Sequence, residues 1–163
     1  IRKALERLTE KAVLQRLAQG IYVRQKVNPL IGPLTPPIEK VAEAIARRDK
    51  MRIIPSGSYA LNALGLSTQI PMNIVLLTDG SPRSIKIGKR TIRFKKAAPK
   101  TLLVKGKISS LVIQALKAIG KGKVTPEEEA RILGLLRQEN TKDLQHDIAL
   151  SPVWIQEIMK KAL

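Results

Sequence analysis

Gly57-Ser58, followed by a helix-like stretch to Leu64 and then the apolar run Met72 to Leu77, has the order of a nucleotidyl-transfer site. In such a site a Gly-Ser pair grips the triphosphate, and paired carboxylates on the following strand hold two metal ions. The strand here carries no Asp or Glu, and Asp79 stands alone beyond it. The metals would have no ligands. A nuclease built on Asp79, with Lys86 or Lys95 as its base, fails in the same way, because nothing acidic lies between Asp79 and Glu127. His146-Asp147 has the atoms of an acid–base dyad, yet a lone His beside an Asp on a helix reads first as a satisfied surface or half-buried histidine. The chain has no Cys and no second His, which removes zinc ribbons, thiol nucleophiles and redox pairs. It also lacks a Walker loop and a dinucleotide fingerprint. The expectation is therefore a protein that is not an enzyme, with no catalytic residue, metal or cofactor.

What remains is cationic chemistry. Thirty Lys and Arg against thirteen Asp and Glu give a formal charge of +17, which calls for a polyanionic partner. Residues 83–107 hold ten basic side chains and no acidic one, and residues 1–26 hold seven against two; residues 125–163 are mildly acidic. Only four aromatic residues are present, too few for the stacking platforms of single-strand binders. Grip on a duplex backbone fits better. At 44% hydrophobic the chain has enough apolar residues for packed cores, so the charge sits on folded surfaces. The uncharged run from Ile53 to Thr78 is interrupted by Pro, Gly, Ser and Asn, and reads as a buried segment of a soluble protein, not a membrane span.

These cations need elements to hold them. Ile1, Ala4, Leu5 and Leu8 form the apolar stripe of a helix whose outer face carries Arg2, Lys3, Arg7 and Lys11. Two β-leaning runs around Ala18-Gln19-Gly20 follow as a hairpin. A helix followed at once by a basic hairpin is the end of a winged helix-turn-helix, which reads a major groove with the helix and lays the hairpin along the backbone. The same residues also fit an ordinary helix–hairpin with solvated charges outside. Five residues among 28–37 are Pro or Gly, which predicts a linker, with Thr35 capping a helix that buries Ile38, Val41, Ala42 and Ile45. A short strand at Ile53, a central strand at Met72–Leu77 and a hairpin pairing Arg83–Ile87 with Arg90–Lys95 give a small sheet. The rest is helical: a stripe from Ile108 to Ile119 stopped by Gly120, a capping box at Thr125–Glu128, and a last helix opened by Ser151-Pro152 with Trp154 as a core plug. The fold class is α+β: a partial winged helix-turn-helix over 1–27 whose start lies before Ile1, a linker over 28–37, and a mixed α/β domain with C-terminal helices over 38–163.

The string Ile1-Arg2-Lys3-Ala4-Leu5, with Leu8, Leu14 and Arg16-Leu17-Ala18-Gln19-Gly20-Ile21-Tyr22, resembles the end of the winged-helix domain of AbiE-type (type IV) toxin–antitoxin antitoxins. Residues Ile53 to Gln69 and Leu77-Thr78-Asp79-Gly80 resemble the second domain of that group. The resemblance implies a cytoplasmic repressor that binds inverted repeats in double-stranded operator DNA through its N-terminal domain. It also implies that the second domain counteracts a nucleotidyltransferase-like toxin. Carried over, it places Arg2, Lys3 and Arg7 on a recognition helix and Arg16, Gln19 and Arg24 on or beside the wing. The residues add a second basic surface of Arg83, Lys86, Lys89, Arg90, Arg93, Lys95, Lys96 and Lys100, suited to nucleic-acid phosphates, to an acidic partner, or simply to solvent. The alternative function is a nucleic-acid- or protein-binding module of a mobile element with no repressor role.

Overall fold

Buried side chains divide between two cores, and the division follows the periodicities of the chain. The computed structural model describes residues 1–163 and is α+β. Helix α1 (Arg2–Glu10) leads into the hairpin β1 (Leu14–Ala18) and β2 (Ile21–Arg24). A second short hairpin joins β3 (Lys26–Asn28) to β4 (Gly32–Leu34) before α2 (Ile38–Arg48). Then come β5 (Ile53–Ser56), α3 (Gly57–Ala63), β6 (Asn73–Thr78), β7 (Arg83–Ile87) and β8 (Arg90–Lys96). The remaining helices are α4 (Pro99–Leu102), α5 (Lys107–Ile119), α6 (Pro126–Leu136), α7 (Thr141–Leu150) and α8 (Val153–Met159). No helix is long and apolar enough to cross a membrane.

Strands β5 to β8 form one mixed sheet in the order β5-β6-β8-β7, with β6 and β8 parallel and both outer pairs antiparallel. Ile74 and Leu76 of β6 alternate with half-buried Val75 and Leu77, and Ile92 and Phe94 of β8 lie beside them in register. These four, with Ile87, pack on Ile38, Val41, Ala42 and Ile45 of α2, the stripe that the 3.6-residue period selects. The second core is helical: Val112, Ile113, Ala115 and Leu116 of α5 pack with residues from α3, α6, α7 and α8. Trp154 lies partly buried against this helical core.

Two expectations are corrected. Residues 28–37 are not an irregular linker, because Asn28 Oδ1 accepts from Leu30 N (2.8 Å) and Ile31 N and closes the β3–β4 turn, while Gly32 takes φ +87°. Pro33 is tolerated because a two-stranded hairpin has no interior strand to require its missing N–H. Thr35 does not cap α2. Pro37 is extended (φ −53°, ψ 138°), and it disfavours helical backbone at Pro36 before it, so the helix starts only at Ile38 and has no side-chain cap.

Nor does the proline-rich segment separate the first hairpin from the sheet domain. Leu17, Ala18 and Ile21 pack against the same core as α2 and the sheet.

The N-terminus of α5 is capped from a distance. Gly106, the residue before it, supplies no side chain, and the free amides of Ile108 and Ser109 both donate to Glu139 Oε2 (2.7 and 3.0 Å). Fully buried Asp147 accepts from Lys105 N (2.8 Å) through Oδ1 and from Gly106 N (2.7 Å) through Oδ2. His146 Nδ1 lies 2.9 Å from Asp147 Oδ1, so this pair is part of the architecture of the α5 entry.

Candidate nucleic-acid interface

Lys3 and Arg7 lie one turn apart on α1, opposite its apolar stripe, and both are exposed. Arg2, with a side chain 95% exposed, pairs with Glu6 at 3.7 Å. Ala12 reverses the chain after the helix by taking φ 54°, and Val13 N donates to Leu8 O (3.0 Å), which fixes the hairpin to the helix end. In the hairpin, Arg16 stands opposite Tyr22, and Arg24 is two residues beyond Tyr22 on the same strand, so all three share a face. Arg16 and Arg24 are exposed and Tyr22 is half-buried. Gln19 is exposed at the tip, where Gly20 supplies φ +70°.

The tip does not project freely. An open cleft of about 620 Å³ lies between Ala18-Gln19-Gly20 and the edge strand β7, lined also by Arg48, Arg83 and Lys86. Arg48 Nη1 donates to Gly20 O (3.3 Å), while its Nε and Nη2 donate to the two oxygens of Asp49 (2.8 and 3.2 Å). Arg83 closes the network with an ion pair to Asp49, and its guanidinium lies 5.6 Å from the centre of the Phe94 ring. That stacking contributes about 0.5–1 kcal/mol at a partly exposed site. Hydrogen bonds from Arg48 and then from Arg83 hold the Asp49 carboxyl down to about 2. Hairpin, α2 and sheet are thus tied together around one carboxylate with two guanidiniums. Arg48 and Asp49 carry no signal of this in the sequence: a basic pair ending a helix reads as dipole complement, and Gly20 is 28 residues away.

The second basic group is split by the sheet's pleat. Arg83 and Arg90 fall on the α2 side, half-buried, and Arg90 Nη2 donates to Pro71 O (3.0 Å). Lys86, Arg93 and Lys95 fall on the other side and are exposed. Lys89 sits in the β7–β8 turn, Lys96 Nζ donates to Asp79 O (2.8 Å), and Lys100 is exposed on α4. The single surface expected from these residues is two faces and a rim. Asp79 Oδ1 accepts from Arg52 N (2.8 Å) in the loop before β5.

A smaller cavity of about 330 Å³ between α2, β5 and α5 is lined by Tyr59, Glu39 and Glu43 among mainly apolar neighbours. Burial, reinforced by Glu39 and Glu43, pushes the Tyr59 phenol up to about 12. No three His, Asp or Glu side chains converge in a way that could hold a metal ion.

The family model described as "Family of unknown function (DUF6088)" matches residues 1–144. The chain belongs to this family. The DUF6088 match runs without a break through α1, both hairpins, the mixed sheet and the α5 entry, and ends within α7. Helix α8 lies beyond it. No curated protein and no solved structure matches the chain.

Proposed function

We propose that this protein is a cytoplasmic, duplex-DNA-binding transcriptional regulator, and that it acts as the antitoxin of a type IV-like toxin–antitoxin pair. In this reading α1 is the recognition helix and β1–β2 the wing of a winged helix-turn-helix. The protein represses its own operon at an inverted repeat, and the region after the hairpin counteracts a nucleotidyltransferase-like toxin. The observation that carries the DNA-binding reading is the absence of ion-pair partners for its cations: Lys3, Arg7, Arg16 and Arg24 are exposed, and none has a carboxylate within 4 Å, Arg16 donating only to the carbonyl of Ala18 in its own hairpin. Like charges held this close on one helix and one hairpin repel each other unless a polyanion lies against them. The antitoxin role rests on the resemblance to AbiE-type antitoxins in residues 1–22, 53–69 and 77–80.

The test is a titration of the whole chain with duplex carrying the inverted repeat upstream of its own reading frame, against a scrambled duplex. Tighter binding to the repeat is expected. Replacing both Lys3 and Arg7 by Ala removes up to two base contacts at about 1–3 kcal/mol each, which lowers the preference ten-fold or more. Equal affinity of the unaltered protein for both duplexes refutes the repressor. Growth rescue by co-expression with the protein from the neighbouring reading frame tests the antitoxin role separately.

A further inference from the structure

The sheet has one face that nothing covers on its β8–β7 half. Register places Ser84 and Lys86 of β7, Thr91, Arg93 and Lys95 of β8, and Asn73, Val75 and Leu77 of β6 on the side away from α2. Ile54 of β5 is on the same side and is buried, whereas Ser84, Lys86, Arg93, Lys95 and Asn73 are all exposed. Cover therefore ends near β5. Because Leu17, Ala18 and Ile21 of the first hairpin pack into the core on the α2 side, Arg93 and Lys95 lie across the sheet from the hairpin, while Ser84 and Lys86 on the edge strand β7 also line the cleft beside its tip.

We propose that this open face is a second surface for the phosphate backbone of duplex nucleic acid, centred on Arg93 and Lys95 across the sheet from the hairpin and reaching the β7 edge at Lys86. Three observations carry it. None of the three cations has a carboxylate within ion-pair distance, whereas Arg83 of the same strand pair is neutralised by Asp49 on the opposite face. Around them stand Ser84, Thr91 and Asn73, the short polar side chains that, with Lys and Arg, make most contacts to phosphate and sugar. The face bears no aromatic residue on which bases could stack, and its apolar members, Val75 and Leu77, are half-buried. Stable protein interfaces centre on clusters of aromatic and Arg anchors in packed pockets, and this flat face offers Arg93 alone and no exposed aromatic or apolar side chain beside it. A flat, aromatic-free cationic sheet grips a backbone without reading bases.

Combining Lys86→Gln, Arg93→Gln and Lys95→Gln in the full chain tests it, with a random-sequence duplex as probe and binding measured across a salt series. All three side chains are solvent-exposed, and a melting curve checks that the variant is folded. Each lost phosphate contact makes the log-affinity against log-salt slope shallower by about 0.9, so the expected change is between two and three, with weaker binding at low salt. The ratio of repeat to scrambled affinity is expected to stay as in the unaltered protein. An unchanged slope overturns the proposal, as does a variant that keeps its duplex affinity while losing binding to polyglutamate. Loss of the repeat preference in the unaltered protein would refute the repressor reading alone, since the slope on random duplex does not depend on it.

Discussion

Replacing Asp147 by Ala strips the α5 entry of the two oxygens that accept from Lys105 N and Gly106 N. The site is buried: Asp147 has no exposed surface, Gly106 is buried beside it, and a Cβ on Gly106 would stand 2.8 Å from Asp147 Oδ2. A donor left in the interior without an acceptor costs about 1–3 kcal/mol, so the buried Gly106 amide and the part-buried Lys105 amide together give roughly 2–6 kcal/mol. That is a large part of the total stability of about 5–15 kcal/mol expected for such a chain. At about 2–4 °C per kcal/mol for a chain of this size, Tm falls by roughly 4–24 °C, read by circular dichroism or calorimetry. Asp147→Asn fares little better, because its one carbonyl oxygen serves one amide and its NH2 confronts the other donor. Glu139 behaves differently. Ile108 N and Ser109 N both donate to its Oε2, so the single oxygen of Glu139→Gln can accept both, and only the charge at the helix N-terminus is lost, about 0.3–1 kcal/mol. The reasoning is refuted if Asp147→Ala melts within a degree or two of the unaltered protein, or if Glu139→Gln is as unstable as Asp147→Asn.

Asp49 gives a pH signature. Its pKa lies near 2 in the folded protein against an ordinary 3.8, so its contribution is complete above about pH 4 and is lost as pH falls through 2. Asp49→Asn should flatten the dependence of Tm on pH across that window, with an effect at neutral pH of no more than about 1 kcal/mol because the pair is solvent-accessible. Parallel Tm curves for the two proteins would contradict this. Gly20→Ala puts a side chain at φ +70° with its Cβ 3.2 Å from Arg48 Nη1. The left-handed backbone alone costs about 1–2 kcal/mol, and a Tm unchanged by this substitution would show that the hairpin tip is not held as described.

The elements that sequence reasoning located well are those whose information is local. The stripe Ile38, Val41, Ala42, Ile45, the alternation of Ile85, Ile87, Ile92 and Phe94, the Gly120 stop and the reciprocal capping box of Thr125 and Glu128 each depend on residues within a few positions. The β3–β4 turn was also local, but five Pro and Gly residues masked the Asx turn that Asn28 makes.

By itself, the sequence determined that this is a strongly cationic α+β chain without paired carboxylates on its central strand, and it placed the cations in two stretches. Only the tertiary structure decided which cations share a surface. Arg83 and Lys86 are three residues apart yet face opposite sides of the sheet, since one strand position changes the face, whereas Gly20, Arg48, Asp49 and Arg83 meet across α2. Asp147 likewise follows a histidine in the sequence, and its role appears only once α7 folds back onto the amides that open α5. Periodicity fixes which way a side chain points within its own element; what it meets depends on how the elements pack.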